Sequence, residues 1–373
     1  MSFIYCFDPT ANDSLSKVRG VGRYLQILKE CFKDKWIFTD DLRITTDSIF
    51  VNPFYNFLQK PLSLRRVAKK QIAVIHDLIP LKYPEHFPVG VKGKFNIFLN
   101  KLALKKYDLI VTDSEASKKD INQILGIEES RVKVIYPTLP KVFSRNSILD
   151  NRYSGKKQIS SIQYPISSFC LYVGDATWNK NLVNLAKAIK KINVTCVFAG
   201  KVFQRNSILE NRYSEKSKNP NIQYPISNIN INNPWQKELN QFFKETGDDK
   251  RFIFLGYVPD LELIQLYQKA KCNILVSRDE GFGFSYLEAA SQSCPSILSD
   301  TDIFQEISDK QGALFANPDN IHDIANAIGE VYFNQDLRNK LGKEAEKRSK
   351  FFSQKKFISE INKILNFLTF GFI

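Results

Sequence analysis

The chain has 373 residues, of which 43% are apolar and 25% are charged, a globular composition with enough apolar material for two domains. No apolar run approaches the roughly 18–20 residues that cross a bilayer, and the first residues do not resemble a signal peptide. We therefore expect a cytoplasmic protein. The net charge of +14 suggests an anionic partner, such as a nucleic acid, a membrane lipid or a phosphorylated substrate.

The excess of positive charge is local. Residues 1–140 contain 22 Lys and Arg against 15 Asp and Glu, and residues 141–167 and 201–227 carry net charges of +4 and +3. The last two segments are an internal repeat, because they agree at 19 of 27 positions. Solenoid repeats occur three or more times and tile the chain. We therefore interpret this pair as a duplicated insertion in surface loops, with a paired basic recognition arm as the functional alternative.

Short β-branched and aromatic runs alternate with amphipathic stretches on both sides of the first insert, a pattern typical of parallel sheets covered by helices. It predicts an α/β fold with two doubly wound domains, at 1–140 and 168–350. A linker with the repeated insert lies between them at 141–167, and a helix at 351–373 can cross back to the first domain. The predicted strands are FIYCFD, SIFVNP, QIAVIHD, LIVTDS, VKVIYP, FCLYVGD, CVFAGK, FIFLGY, CNILVS and PSILSD.

Ligands of open α/β sheets bind at the carboxyl ends of the strands, where the segment EGFGFSYLE at 280–288 follows a predicted strand. Gly281 and Gly283 let a ligand approach the backbone, and the free N–H groups at the start of the next helix suit an anion. Glu280 and Glu288 cannot both hold phosphate, but they could accept hydrogen bonds from the hydroxyls of a sugar and a ribose. The alternative is a tight turn with one solvated acid and one acid at a helix dipole.

Two other junctions in the second half offer donor-binding groups. Lys180 in VGDATWNKN supplies a point charge for a diphosphate, unless it is only an exposed lysine near a helix start. Gly256, Tyr257 and Val258 end another strand, where backbone groups could bind a nucleobase edge. Tyr257 could equally be a rim aromatic.

The first half carries two candidate segments. Gly20 and Gly22 in RGVGRY lie in a loop that runs into a helix; the full dinucleotide pattern is missing, so NAD and FAD are disfavoured and a sugar phosphate fits better. His76 and Asp77 end a buried strand, where a histidine can orient a substrate or stabilise charge on it. A structural, hydrogen-bonded histidine is the alternative.

Together these residues resemble the retaining glycosyltransferases of family 4, of the bacterial surface-polysaccharide type. That family has the GT-B architecture, in which two Rossmann-like domains face each other across a cleft. The resemblance covers nearly the whole chain apart from the inserts, and its most specific part is the E-x7-E motif of Glu280 and Glu288. RGVGRY and VIHDLIPLKYPE are similar to segments on the acceptor side of the family's first domain.

The resemblance implies a role for each residue. Glu280 and His76 would be catalytic, with Glu280 at the donor sugar and His76 near the anomeric carbon, while Glu288 would hold the ribose and Lys180 the diphosphate. Gly20, Gly22 and Asp77 would form the acceptor and phosphate loop of the first domain. The implied donor-binding set is Lys180, Glu288, Gly256, Tyr257, Val258, Gly281, Phe282, Gly283, Phe284 and Ser285.

The implied reaction transfers a hexose, with mannose favoured, from a GDP- or UDP-linked donor to a glycan or lipid-linked acceptor in surface polysaccharide synthesis. We identify no Asp-x-Asp metal motif at a strand end. We therefore expect no cofactor besides the nucleotide sugar and no metal ion, and Lys180 and helix N-termini would meet the charge of the leaving diphosphate. Retention could proceed through Glu280 as covalent nucleophile or through front-face attack. Domain closure would exclude water.

Three departures from the family pattern matter. Asp175 stands where the family usually has Arg, Ser293 stands where it commonly has Gly, and the inserts could impede domain closure. These departures suggest one alternative, a catalytically inactive glycosyltransferase-like scaffold. The basic charge suggests a second, a nucleic-acid-binding protein, but no RNA or DNA module is recognisable, and we expect no nucleic acid.

Two basic stretches, at 60–70 and 91–106, each hold five cations and no acid. The second also interleaves six apolar residues with its lysines, namely Phe95, Ile97, Phe98, Leu99, Leu102 and Leu104. A basic amphipathic segment can lie on an anionic leaflet, which would bring the acceptor domain to the inner face of the cell membrane. The alternative is a helix with a core stripe and a solvated face.

Overall fold

The computed structural model describes residues 3–11, 20–144, 168–203 and 233–371. Within these ranges the chain forms two six-stranded sheets in which all the pairings are parallel. Two doubly wound domains were predicted, and two such sheets are present. Most of each insert copy lies outside the described residues.

The first sheet has the strand order β2-β1-β3-β4-β5-β6. Five of its strands were predicted; β2, an edge strand with no fully buried residue, was not. The strands are β1 (Phe3–Phe7), β2 (Ile37–Thr39), β3 (Ser48–Asn52), β4 (Lys70–Val74), β5 (Leu109–Thr112) and β6 (Val132–Val134). The helices of this half are α1 (Gly20–Phe32), α2 (Ile79–Lys82), α3 (Gly90–Leu104) and α4 (Glu115–Leu125).

The second sheet has the order β12-β11-β10-β7-β8-β9. The strand β12 was missed, because two of its four residues are Ala, which is depleted in strands. The strands are β7 (Cys170–Val173), β8 (Cys196–Ala199), β9 (Phe252–Gly256), β10 (Cys272–Leu275), β11 (Ser296–Ser299) and β12 (Ala313–Ala316). The helices are α5 (Leu182–Ile192), α6 (Lys237–Thr246), α7 (Asp260–Lys269), α8 (Phe284–Ser291), α9 (Asp302–Ser308), α10 (Ile321–Phe333), α11 (Gln335–Ser349) and α12 (Gln354–Phe370).

The second sheet has its topological switch point between β7 and β10. These two strands are neighbours, and the chain leaves them in opposite directions, from β7 to β8 and from β10 to β11. The loops at their carboxyl ends therefore diverge and leave a crevice between them. Alternate residues of β7 pack on opposite faces, with Tyr172 in one core cluster and Leu171 in another, so that helices cover both sides of the sheet.

The last helix, α12, packs against the first sheet although it follows the second in sequence. Its buried residues Phe357, Ile361, Leu365 and Leu368 share a cluster with residues such as Tyr24 of α1. Their spacing of four, four and three residues places them on one face of the helix. The Ser353 side chain caps the first turn by accepting a hydrogen bond from the Lys356 N–H.

Each insert copy begins with a packed turn. Residues Lys141–Phe143 and Lys201–Phe203 form 3-10 turns, and Phe143 and Phe203 are each buried in a core cluster of the second domain. The first three residues of each copy therefore belong to the folded domain. The predicted surface-loop placement of the other repeat residues falls, apart from Ser144, outside the described residues.

Candidate active site at the interdomain cleft

Lys180 and Glu280 meet at the switch point of the second sheet. The Lys180 Nζ lies 2.6 and 2.7 Å from the two carboxylate oxygens of Glu280, and the Ser277 hydroxyl donates to Glu280 Oε1 at 2.7 Å. Asn181, which follows Lys180, donates to the carbonyl of Val276 at 2.9 Å and joins the two loops. Lys180 of the predicted donor-binding set and Glu280 of the predicted catalytic pair are thus in direct contact.

The first domain holds the backbone just before Glu280. The Glu280 N–H donates to Asp279 Oδ1 at 2.8 Å, while Asp279 Oδ2 accepts hydrogen bonds from Lys82 Nζ at 2.8 Å and the Tyr83 hydroxyl at 3.1 Å. Lys82 also pairs with Asp120 at 2.9 Å. Sequence reasoning did not single out Lys82, Tyr83 or Asp279, although LKYPE was part of the family resemblance.

The backbone of Gly281 lies directly against the first domain. Its carbonyl accepts hydrogen bonds from the hydroxyls of Ser114 at 2.7 Å and Ser117 at 3.2 Å. A Cβ at Gly281 would lie 2.6 Å from the carbonyl oxygen of His76, so only glycine fits. Gly283 has a φ of +87°, which also favours glycine. Ser114 caps α4 by accepting a hydrogen bond from the Ser117 N–H.

The His76 ring is held between two acceptors. Its Nδ1 lies 2.5 Å from Asp113 Oδ2, and its Nε2 lies 2.9 Å from the carbonyl oxygen of Pro53. Because neither partner can donate, we assign the ring as an imidazolium that donates from both nitrogens. Burial opposes the charge, but the Asp113 carboxylate outweighs it and raises the pKa of His76 above 6.5. In this arrangement both ring nitrogens of His76 are engaged by acceptors of the first domain.

Asp77, the neighbour of His76, is exposed. Its Oδ1 accepts a hydrogen bond from the Ile79 N–H at 3.1 Å. A Cβ added at Gly281 would lie 3.1 Å from the Cβ of Asp77. Asp77 therefore stands at the interdomain contact, on the side of the first domain.

Glu288 is buried, with its side chain 5% exposed. The Tyr267 hydroxyl donates to its Oε2 at 3.0 Å, and Arg23 Nε lies 3.2 Å from its Oε1. Arg23 also forms a fork with both oxygens of Asp260, at 2.7 Å each. Burial raises the pKa of Glu288, an effect that Arg23 opposes. Glu288 is therefore not the solvated helix acid of the alternative interpretation, and Arg23 and Asp260 are cleft residues that sequence reasoning missed.

The two predicted glycines of the first domain occupy a different element from the one expected. Gly20 and Gly22 were assigned to a loop, but α1 begins at Gly20, so both lie in its first turn. A Cβ at Gly20 would lie 3.9 Å from the Phe284 ring. The start of α1 therefore faces the loop of Gly281 and Gly283 across the cleft.

The remaining predicted donor-site residues differ in exposure. Gly256 is buried at the end of β9, Tyr257 is 52% exposed, and Val258 is partly buried. Phe282 packs in a core cluster, where it contacts Phe352 and Phe284. Only the Phe282 backbone is thus left to meet a ligand. The Ser285 hydroxyl is buried and has no hydrogen-bond partner among the described residues.

Two of the three departures from the family pattern, Asp175 and Ser293, have a local structural account. Asp175 turns its Oδ1 onto the Ala176 N–H at 2.8 Å, so that oxygen caps the backbone. Ser293 has a φ of +57°, a left-handed conformation that costs a non-glycine residue free energy. A glycine adopts this conformation without that cost, which explains why the family commonly has Gly at this position.

The expectation that no Asp-x-Asp sequence stands at a strand end is wrong, because Asp300–Thr301–Asp302 follows β11 directly. Asp300 accepts a hydrogen bond from Gln305, and the Asp302 side chain is 84% exposed and pairs with Lys119 at 3.6 Å. Among the described residues, no three His, Cys, Asp or Glu side chains are grouped to hold a metal ion. Metal independence stays a prediction.

Further direct contacts cross the cleft. The Glu306 carboxylate accepts hydrogen bonds from the Glu115 and Ala116 N–H groups, at 2.7 and 3.0 Å, and so caps α4 from the other domain. His86 stacks on Trp178 with 3.6 Å between ring centroids. The domains are therefore in contact on several sides of the Lys180–Glu280 pair.

Known proteins similar to this chain are glycosyltransferases. Residues 163–348 match the family of glycosyl transferases group 1. O-antigen chain mannosyltransferase RfbU of Salmonella typhimurium is 25% identical over 70% of this chain, and the match spans only 61% of RfbU. O-antigen chain mannosyltransferase B of Escherichia coli is 24% identical over 87% of this chain and 77% of its own length.

Among solved structures, HepE of Anabaena in complex with UDP and glucose superposes with a TM-score of 0.67 at 16% identity. The alignment covers 98% of this chain and all of HepE. The predicted GT-B fold is thereby confirmed. The domain at 163–348, which carries Lys180, Glu280 and Glu288, is a glycosyl transferases group 1 domain.

Proposed function

We propose that the protein transfers a hexose, mannose in the first instance, from a nucleoside diphosphate sugar to a glycan or lipid-linked acceptor in surface polysaccharide synthesis. The observation that carries this proposal is the contact between Lys180 and Glu280 at the switch point, where Rossmann-like sheets bind nucleotides. The names of RfbU and mannosyltransferase B support mannose and the polysaccharide.

Each charged group of the cleft has a part in the proposed reaction. Lys180 would leave Glu280 to meet the diphosphate, which frees the Glu280 carboxylate for hydroxyls of the donor sugar. The His76 imidazolium would add positive charge on the side of the first domain, where negative charge develops on the leaving group. Transfer is proposed to retain the anomeric configuration, without a metal ion.

Glu288 would accept hydrogen bonds from the ribose, and the backbone at Gly256 and Val258 would meet the base. The UDP bound by HepE supports a uridine nucleotide. The names of the mannosyltransferase relatives support mannose as the sugar. A thermal-shift screen against GDP, UDP, ADP and dTDP identifies the base, because a ligand at concentration [L] stabilises the protein by RT ln(1 + [L]/Kd).

The activity is tested by incubating the protein with GDP-mannose, UDP-glucose and related donors and measuring release of the nucleoside diphosphate. Release with a glycan acceptor, giving an α-linked product from an α-linked donor, is the expected result. Tight nucleotide binding without release would support the inactive scaffold instead. Absence of binding to all four nucleotides would contradict the proposal.

We also propose that the first domain rests on an anionic membrane surface. In α3, Val91, Phe95, Phe98 and Leu102 are 87%, 59%, 57% and 40% exposed, and their spacing of four, three and four residues makes one apolar stripe. The helix turns a different set inward, with Gly93, Asn100, Ala103 and Leu104 buried.

Five exposed lysines flank this stripe, and residues 91–106 contain no acid. A stripe of this kind binds anionic lipid by inserting its apolar side chains and by attracting the headgroups. Among the described residues, none of the helices is long and apolar enough to span a membrane. Sedimentation with vesicles of phosphatidylglycerol and phosphatidylcholine at low and high salt tests the proposal. Binding that is absent or insensitive to salt would contradict it.

The five exposed lysines that flank the stripe are Lys92, Lys94, Lys101, Lys105 and Lys106.

A further inference from the structure

Arg23 joins the two domains through its guanidinium. Its terminal nitrogens form the fork with Asp260 at 2.7 Å, one of them also contacts Gln26 at 3.2 Å, and its Nε lies 3.2 Å from Glu288. The group also lies over the Phe143 ring, 5.1 Å from its centroid. The Arg23 side chain is 17% exposed.

The same contacts use both oxygens of Glu288. Oε1 faces Arg23, Oε2 accepts from Tyr267, and the side chain is 5% exposed. A ribose needs one or both of these oxygens as acceptors for its hydroxyls. With Arg23 in this position, the Glu288 carboxylate is therefore largely covered.

Most of the Arg23 N–H groups are engaged, because four of the five contact two carboxylates and one amide oxygen. A guanidinium placed to bind a diphosphate would instead present a free edge to the cleft. The geometry therefore favours a role as a competitor of the nucleotide over a role as one of its ligands.

We infer that Arg23 is an internal ligand of the donor site, which occupies Glu288 and closes the cleft while no nucleotide is bound. The inference rests on the proposed role of Glu288. Nucleotide binding requires the arrangement in which Arg23 has left Glu288, so the apparent affinity is reduced by the fraction of molecules in that arrangement. The arginine thereby exchanges with ribose hydroxyls when the donor binds.

Calorimetric titration of GDP and UDP into three variants tests this inference. Arg23→Gln removes the competitor, and Asp260→Asn weakens its anchor without touching Glu288. Arg66→Gln is the matched control, because Arg66 forms a similar fork with Asp108 at 2.7 and 3.1 Å within the first domain. We expect the nucleotide that binds the wild type to bind Arg23→Gln about tenfold more tightly. Asp260→Asn should show a smaller gain, and Arg66→Gln no change.

Unchanged affinity in Arg23→Gln and Asp260→Asn would overturn the inference while leaving the proposed function intact. Weaker binding by Arg23→Gln would also overturn it, because Arg23 would then be a ligand of the nucleotide. If neither the wild type nor any variant binds a nucleotide, the proposed donor site itself has failed, and the competition for Glu288 fails with it.

Discussion

Lys180 and Glu280 are 100 positions apart in the chain, yet the lysine contacts both oxygens of the glutamate at 2.6 and 2.7 Å. The contact exists because β7 and β10 are neighbours at the switch point of the second sheet.

Replacing Glu280 by Gln should remove transfer activity while the protein stays folded. The substitution keeps the shape of the side chain but removes the negative charge proposed to act at the donor sugar, so we expect kcat/KM to fall by roughly 10²–10³-fold. Product formation is measured by chromatography, and folding by the melting temperature. Glu330→Gln, on the exposed face of α10, is the control. Near-normal turnover by Glu280→Gln would refute the assignment.

Replacing Lys180 by Gln should weaken binding of nucleoside diphosphates. Loss of a charged hydrogen bond to the diphosphate predicts an affinity about 10- to 100-fold lower. Binding of the matching nucleoside, which lacks phosphate, should change little. Calorimetry with the diphosphate and the nucleoside separates the two effects. Equal losses for both ligands would mean that Lys180 does not meet the phosphates.

Replacing His76 by Gln should destabilise the protein in a pH-dependent way. The Asp113 carboxylate raises the pKa of His76 in the folded state, so the stabilisation is complete below about pH 6.5, the ordinary histidine value. It is lost as the pH rises through the raised pKa. We expect a cost of about 1–3 kcal/mol at pH 6 and a smaller cost at pH 9.

Denaturant unfolding at the two pH values measures this cost. His322→Gln, at an exposed position of α10, serves as the control. A cost for His76→Gln that is equal at pH 6 and pH 9 would show that the ring is neutral in the folded protein.

Replacing Phe95 and Phe98 by Ser should weaken binding to anionic vesicles. The two exposed rings are proposed to enter the lipid, so their loss should lower the partition coefficient by about tenfold or more. Vesicle sedimentation measures the coefficient. The double variant Phe333→Ser and Phe370→Ser removes two rings that are 69% and 67% exposed elsewhere, and it should bind like the wild type. Equal binding by both double variants would exclude the α3 stripe as the membrane contact.

Replacing Phe357 by Ala should destabilise the first domain although the residue lies near the C-terminus. Phe357 is 1% exposed and contacts the rings of Tyr24 and Phe32, so the cavity predicts a loss of about 3–5 kcal/mol. Denaturant unfolding measures the loss. Phe370→Ala, at a largely exposed position of the same helix, should change stability by less than about 0.5 kcal/mol. Similar values for the two variants would contradict the packing of α12.

The strand-to-helix junctions were predictable because each is local. Ten of the strands come from short apolar runs, and parallel sheets bury such runs on both faces. The junctions that carry Lys180, Glu280 and His76 follow those runs directly. The edge strands Ile37–Thr39 and Ala313–Ala316 were missed. Each lies at the edge of its sheet and is less buried than the central strands, so its apolar run is weaker.

Sequence by itself determined the two-domain α/β organisation, the motif residues at the strand ends and the local excess of charge, because these depend on neighbouring positions. Tertiary structure alone decided that Arg23 pairs with Asp260 and Glu288, that His76 lies between Asp113 and Pro53, and that α12 packs on the first domain. Each of these contacts joins residues far apart in the chain. Their formation depends on strand order and on the way the two domains meet, which no local pattern encodes.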